Sequence, residues 1–338
     1  MDTFSEEFAK MSNKSTKDNV ESRRHIFQTE YESVLKLLQP LAETFFAKHA
    51  ASSTSETFPA VDIGSGDSIG TATLALTLRP PILPEETELL WYPTDWNGNT
   101  DDVNYKGGPL KLETQETLRY LVQESEEMIP LFIDCNGRSV FNGECIELNG
   151  LNAARFNGGR GYIKGVDLND SDRFQIQLSS DPNDRKSFKK EHISYTGAPT
   201  LHDAMLRGLR EDKEAKELFE GLLNRTREVD ILKHETWSNV KELYGKCALV
   251  TCTSLLTCIG YSDPTAWKDT MQLASQLLHI DGYLLQYDAV GHADFGDTSI
   301  MQEFAQDESL GLTLEEATIP PNSYFGTKKR KIIIWKKI

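Results

Sequence analysis

The chain has no C-x-x-C pair: its five cysteines, Cys135, Cys145, Cys247, Cys252 and Cys258, are odd in number and scattered, and no two histidines stand at the H-E-x-x-H spacing. That pattern argues against a disulfide framework and against structural zinc, so no metal is expected. No apolar run approaches the ~20 residues that a bilayer span requires. The opening stretch, MDTFSEEFAKMSNKSTKDNVESRR, is polar where a secretory signal needs an apolar centre. These absences predict an intracellular, cytoplasmic chain with no membrane partner. Basic residues are scarce as well: 36 Lys and Arg stand against 52 Asp and Glu over 338 residues, a formal charge of −16. Such an excess opposes a phosphate backbone, so no nucleic-acid partner is expected. The tail KKRKIIIWKKI is the exception, readable either as a nuclear-import signal or as a final strand with solvated charged ends.

What is present has the periodicity of an α/β protein. Residues 1–24 lack large apolar positions and read as a disordered or loosely docked arm. From Ile26, the residues Phe27, Tyr31, Val34, Leu38, Leu41 and Phe45 recur at helical steps, with a bend expected near Pro40. Phe58–Ile63 is a short apolar run that stops at Gly64-Ser65-Gly66, and helix-compatible residues resume at Thr71, which together read as strand, glycine turn and helix. Leu89–Tyr92 is a second buried strand that ends at Asp95. A helix follows over Leu110–Met128. From Leu131 to about Asp184 the pattern changes to short alternating runs punctuated by Asn-Gly and Gly-Gly, the signature of a small inserted β-barrel.

A long helix is then predicted from Leu201 through Leu222, capped at Thr200, and a third strand over Val229–Leu232. Cys247–Leu256 reads as a strand buried on both faces, and Asp263-Pro264 as the start of a helix closed by Asp281-Gly282. Tyr283–Tyr287 is a further strand, and the runs Leu312–Ile319 and Lys331–Ile338 pair as an antiparallel hairpin at the sheet edge. The fold class is therefore α/β: a doubly wound, mostly parallel, seven-stranded sheet with an inserted small β-barrel. Its segments are an arm over 1–24, an N-terminal helix and first half over 25–130, the barrel over 131–185 and the second half over 186–338.

Ligands of open α/β sheets lie beyond the carboxyl ends of the strands, so the residues just after each strand are the ones to weigh. After the first strand stands Val61-Asp62-Ile63-Gly64-Ser65-Gly66. A dinucleotide turn needs G-x-G-x-x-G, and here Ser68 precedes a glycine that comes only at Gly70, out of register. Asp62 suits a ligand ammonium better than a phosphate. The pattern D-x-G-x-G over Asp62, Gly64 and Gly66 closely resembles the cofactor turn of class I S-adenosylmethionine-dependent methyltransferases, a Rossmann-like fold.

The resemblance implies S-adenosyl-L-methionine as cofactor, held by Asp62, Gly64, Ser65, Gly66, Asp95 with Trp96, the pair His234 and Glu235 after the third strand, and Thr253 after the fourth. It covers about Phe58–Asp95 and Val229–Ile338. The stretch from Leu256 to Asp297 is similar to small-molecule N-methyltransferases of the nicotinamide and phenylethanolamine type, whereas Trp91–Asp95 looks more like uncharacterised methyltransferase-like proteins. Methyl transfer to a small-molecule acceptor such as an amine places Asp288 and His292 as catalytic groups, with Tyr31, Tyr261 and Asp294 toward the substrate. The runs Ile146–Leu151, Phe156–Gly161 and Arg173–Leu178 of the inserted segment look like a small β-barrel repeat similar to a Src-homology-type barrel, which reads as a solubilising or interaction module for a protein partner, with a substrate lid as the alternative. Three other readings stay open: a non-catalytic methyltransferase-like scaffold, a protein methyltransferase, and a nicotinamide-dependent oxidoreductase, which Asp62 and the glycine register disfavour.

Overall fold

A computed structural model describes residues 34–49, 56–66, 68–79, 83, 87–95, 110–134, 136–180, 185–198, 201–256, 263, 265–320, 324–325 and 328–338. Tyr31, Trp96 and Tyr261 lie outside the described residues. The first helix among the described residues, α1, covers 34–49 and runs through Pro40. It is followed by β1 (Glu56–Ile63), α2 (Ile69–Thr77), β2 (Thr87–Asp95) and α3 (Leu110–Glu127). Seven short strands come next: β3 (Phe132–Ile133), β4 (Ser139–Val140), β5 (Cys145–Leu148), β6 (Arg160–Asp167), β7 (Asp170–Leu178), β8 (Arg185–Lys189) and β9 (Ile193–Gly197). Helices α4 (Leu201–Glu211) and α5 (Lys213–Arg225) precede β10 (Arg227–Glu228) and β11 (Cys247–Thr253). The chain ends with α6 (Ala266–Leu277), β12 (Leu278–Ala289), α7 (Thr298–Gln306), β13 (Leu312–Thr318), β14 (Tyr324–Phe325) and β15 (Lys328–Lys337).

Contacts divide the chain into two units, one formed by Met1–Tyr120 with Glu214–Ile338 and the other by Leu121–Lys213. The first holds a sheet in the order β10-β2-β1-β11-β12-β15-β13, with β14 paired to β15. The strands from β10 to β12 are mutually parallel, while β15 runs antiparallel to both β12 and β13. This is a doubly wound, Rossmann-like α/β sheet, and its strand order reverses between β1 and β11. The continuous apolar run of β11 is explained by burial on both faces. One face packs Val61, Ile63, Val250, Cys252 and Leu284 against Trp267 and Met271 of α6. The other carries Asp62 and Thr251 toward α2.

Several local expectations give way to tertiary contacts. The segment Leu201–Leu222 is two helices, interrupted at Asp212. Asp281-Gly282 does not end an element: Asp281 takes φ 70° inside β12, and the register against β11 shifts there. Its carboxylate is held low by Lys48, whose Nζ lies 2.6 Å away, and by Lys336. The bulge thus ties α1 to the sheet. Gly282 is required because a Cβ would stand 2.7 Å from the Cys247 carbonyl oxygen. The third strand is Arg227–Glu228 and not 229–232, although the Val229 N–H still donates to the Asp95 carbonyl at 2.8 Å. Within the tail, β15 lies between β12 and β13, so only β13 forms the edge.

In the second unit, β8-β7-β6-β5-β9 form a five-stranded antiparallel sheet and β3 pairs with β4. Its own core joins Val140, Ile146, Leu148, Ile163, Phe174, Ile176 and Ile193. A buried ion pair supports it. Arg207 Nη1 donates to both Glu144 carboxylate oxygens at 2.7 and 2.9 Å, and Nη2 donates to the Ser139 carbonyl at 2.8 Å. Among the described residues, no helix is long and apolar enough to cross a membrane.

Candidate functional site

The turn after β1 lies at the switch point of the sheet. Gly64 has φ +75°, and a Cβ there would stand 2.7 Å from Leu255 Cδ1, so both conformation and space demand glycine. Gly66 also takes a positive φ of 56°. Among the described residues, the next position in that conformation is Ser68, a fully buried serine at φ 63° whose hydroxyl is 3.4 Å from that of Ser65. The dinucleotide pattern would put its third glycine one residue later, at Ile69, where the helix α2 begins.

Every backbone N–H from Gly64 to Gly66 is engaged by β2. The N–H groups of Gly64 and Ser65 both donate to the Thr94 carbonyl, at 2.8 and 2.9 Å. The N–H of Gly66 donates to Asp95 Oδ2 at 2.5 Å. A turn that cradles a pyrophosphate needs these donors for the ligand. Here they face the Thr94 carbonyl and the Asp95 carboxylate, which leaves one half-buried carboxylate at the acidic rim of the turn.

Asp62, expected to face a ligand ammonium, is 1% exposed with its carboxyl inside the protein. Oδ2 accepts from the Thr71 hydroxyl at 2.6 Å and Oδ1 from the Thr251 hydroxyl at 2.8 Å. Burial pushes this carboxyl up to about 6, against the pull of the two hydroxyls. The Thr94 hydroxyl donates to the Asp62 carbonyl at 3.0 Å. Asp62 therefore ties β1, α2 and β11 together beneath the turn. Thr71, Thr94 and Thr251 were not singled out from the sequence, because isolated threonines on an apolar background carry no motif.

The residues after β12 divide differently. Asp288 is 1% exposed; its Oδ2 accepts the Leu256 N–H at 2.6 Å and its Oδ1 the Ala289 N–H at 2.7 Å. It holds the chain that leaves β11. His292 is equally buried, whereas Asp294 is exposed and takes φ 59°. His234 is bound by Nε2 to Asp269 of α6 at 3.0 Å and lies over Trp237 with ring centroids 4.1 Å apart, while Glu235 is exposed. The structure thus brings Asp62, Gly64, Ser65, Gly66 and Asp95 into one hydrogen-bonded group, and it engages His234 and Asp288 elsewhere. Thr253 pairs with Tyr287 across β11 and β12. Arg330, read from the sequence as part of a solvated tail, is 1% exposed; its guanidinium lies 4.2 Å from the Tyr287 ring centroid and donates to the Ser254 hydroxyl.

No protein-family model matches the chain, and no curated protein matches it. Solved structures do, across most of its length. Several of them are methyltransferases. One is the CurJ carbon methyltransferase, at 11% identity and a TM-score of 0.39, covering 94% of this chain. The chain spans 58% of the length of that protein. A second is a sarcosine dimethylglycine methyltransferase, so described provisionally, from Galdieria sulphuraria, at 7% identity and a TM-score of 0.37, covering 88% of this chain and 84% of that one. A third is a 16S rRNA (adenine(1408)-N(1))-methyltransferase from Catenulisporales acidiphilia with its cosubstrate SAM, at 10% identity and a TM-score of 0.33, covering 88% and 91%. At such identities the functional reading rests on the geometry of the site.

Proposed function

We propose that this chain is an S-adenosylmethionine-dependent methyltransferase that acts on a small molecule. One observation carries the choice of cofactor: the turn donors at Gly64, Ser65 and Gly66 are all taken by Thr94 and Asp95. A dinucleotide would need them for its pyrophosphate, whereas adenosylmethionine has no phosphate and brings two ribose hydroxyls and an ammonium to an acidic rim. When bound, the cofactor supplies a methyl group on a sulfonium. Asp95 serves as the acceptor for the ribose hydroxyls, with Gly66 fixing the orientation of its carboxylate. Gly64 lets the ligand approach the backbone. Asp62 acts through the turn as a positioning residue, since its oxygens are held by Thr71 and Thr251.

For the acceptor, Thr253, Ser254 and the Arg330–Tyr287 pair stand at the carboxyl ends of β11 and β12, where an open α/β sheet receives its second ligand. Asp288 holds the backbone of that rim, and His292 and Asp294 follow it in sequence. Calorimetric titration with S-adenosylmethionine and S-adenosylhomocysteine, with NADH as control, tests the reading. Saturable binding of the first two alone supports it. Binding of NADH alone, or of none of the three, overturns it.

A further inference from the structure

The five-stranded sheet of the second unit carries a cleft of about 320 Å³ that the proposed methyl-transfer chemistry does not use. Its lining combines Arg155, Arg160 and Lys186 with Phe156 and the hydroxyls of Ser179 and Ser180. Three cations in one cleft are notable in a chain of net charge −16. They are also organised. The Phe156 ring is held edge-on by Phe188 with centroids 5.7 Å apart, the Arg155 guanidinium lies 4.7 Å from its centroid, and the Lys186 ammonium 5.7 Å. An aromatic face that gathers cations lowers the entropic cost of presenting them to an anion.

The backbone holds these residues close. The Gly159 N–H donates to the Phe156 carbonyl at 3.0 Å, and a Cβ on Gly159 would stand 2.8 Å from that same oxygen. The Ser179 N–H donates to the Arg160 carbonyl at 2.8 Å, which sets the serine pair beside the arginine. Arg160 Nε also approaches Glu147 Oε2 at 3.4 Å on the exposed side, an ion pair weak enough to yield to a ligand.

We propose that this cleft docks a phosphomonoester carried on a peptide side chain. Two guanidinium forks, an ammonium and two hydroxyls match a dianion with several acceptor oxygens better than they match a single carboxylate. The cleft is larger than a phosphate group, so residues flanking the phosphorylated one fit as well. A nucleic acid is the less favoured source of phosphate, because a long polyanion meets the negative charge of the whole chain while one phosphate meets only the cleft.

The test titrates the full chain with O-phosphoserine, with a nine-residue Gly/Ala peptide bearing one central phosphoserine, with the same peptide bearing serine, and with an eight-nucleotide oligothymidine. The phosphopeptide is expected to bind at least about tenfold tighter than the serine peptide and to weaken with added salt. Binding of O-phosphoserine alone, more weakly, marks the share carried by the phosphate itself. Arg155→Gln and Lys186→Gln are each expected to lower phosphopeptide affinity about tenfold, while Arg185→Gln, on the exposed side of the same strand, changes it by less than about twofold. Equal affinity for the two peptides overturns the proposal, as does equal loss in all three variants. Tighter binding of the oligonucleotide than of the phosphopeptide also overturns it, and reassigns the cleft to nucleic acid.

Discussion

The Asp95 carboxylate closes on the Gly66 amide: Oδ2 accepts its N–H at 2.5 Å, from a position 29 residues further along the chain. One bond joins the ends of two neighbouring parallel strands and fixes the orientation of the Asp95 carboxylate. Asp95→Ala removes both the anchor and the acceptor for a ribose. Loss of a hydrogen bond to a charged group costs about 1.5–3 kcal/mol, so S-adenosylmethionine affinity should fall at least about tenfold. Asp95→Asn keeps an acceptor for Gly66 without the charge and should fall between. Titration calorimetry on the three proteins decides it, and unchanged affinity in Asp95→Ala removes Asp95 from the site.

Gly64 is held to glycine by two independent constraints, a φ of +75° and Leu255 Cδ1 at 2.7 Å from any Cβ. Gly64→Ala should destabilise the protein by about 1–3 kcal/mol in urea denaturation, the usual range for overpacking combined with a left-handed backbone. Leu255→Ala in the same chain relieves the clash but not the torsion. The double variant should therefore be less destabilised than the sum of the two singles. Simple additivity means that Leu255 does not confine the turn.

Much of this arrangement was legible in the sequence, for a physical reason. Apolar runs that end in glycine or aspartate mark where buried strands surface, so β1, β2 and β11 and the closeness of Gly64, Gly66 and Asp95 follow from spacing along the chain. The direction of the Asp62 carboxylate does not. Its partners lie 9 and 189 residues away, and only the register of β1 on β11 brings Thr251 beneath it. Asp281-Gly282 misleads in the same way, because a left-handed aspartate followed by glycine serves a bulge as well as a turn, and the neighbouring Cys247 carbonyl decides which. Arg330 is hidden from a charge pattern because Tyr287 in β12 and Ser254 just after β11, which hold it, stand far earlier in the chain.

The buried Asp62 makes stability depend on pH with a definite sign. Burial raises its pKa from 3.8 to about 6, so the folded state binds this proton more tightly than the unfolded state does. The contribution is fully present below 3.8, declines as the pH rises through the window, and is lost above about 6. A shift of that size corresponds to about 3 kcal/mol. Asp62→Asn has no such titration, so the variant should gain about that much relative to the parent between pH 4 and pH 7. Chemical denaturation at the two pH values measures the difference, and a constant gap shows that Asp62 titrates normally.

In the second unit, the Arg207 guanidinium stands between Glu144 and the Tyr195 ring, 3.9 Å from the ring centroid. Burial raises the Glu144 carboxyl despite that neighbour. Arg207→Met leaves Glu144 buried without its partner and should destabilise the unit by about 3–5 kcal/mol. Amide hydrogen exchange over β5 and β9 should accelerate accordingly. Glu144→Gln combined with Arg207→Met removes both charges and should recover a large part of the loss; if it recovers none, the pair is held by shape and not by charge.

Gln286 stands where two tryptophans meet. Trp267 from α6 and Trp335 from β15 both donate their indole N–H groups to its Oε1, at 3.2 and 3.0 Å, and all three side chains are buried. Gln286→Leu fills the space but leaves two buried donors without an acceptor, each worth about 1–3 kcal/mol. Gln286→Glu separates acceptor from volume. Nε2 of Gln286 makes no hydrogen bond among the described residues, so a protonated glutamic acid loses none. Burial raises the pKa of such a carboxyl, which means that its stability falls as the pH rises and the folded core must accept a charge. Gln286→Glu should therefore approach the parent near pH 5 and fall behind it at pH 8, while Gln286→Leu lags at both. Thermal unfolding at the two pH values separates these outcomes, and a Gln286→Leu variant as stable as the parent would mean that the indoles find other acceptors.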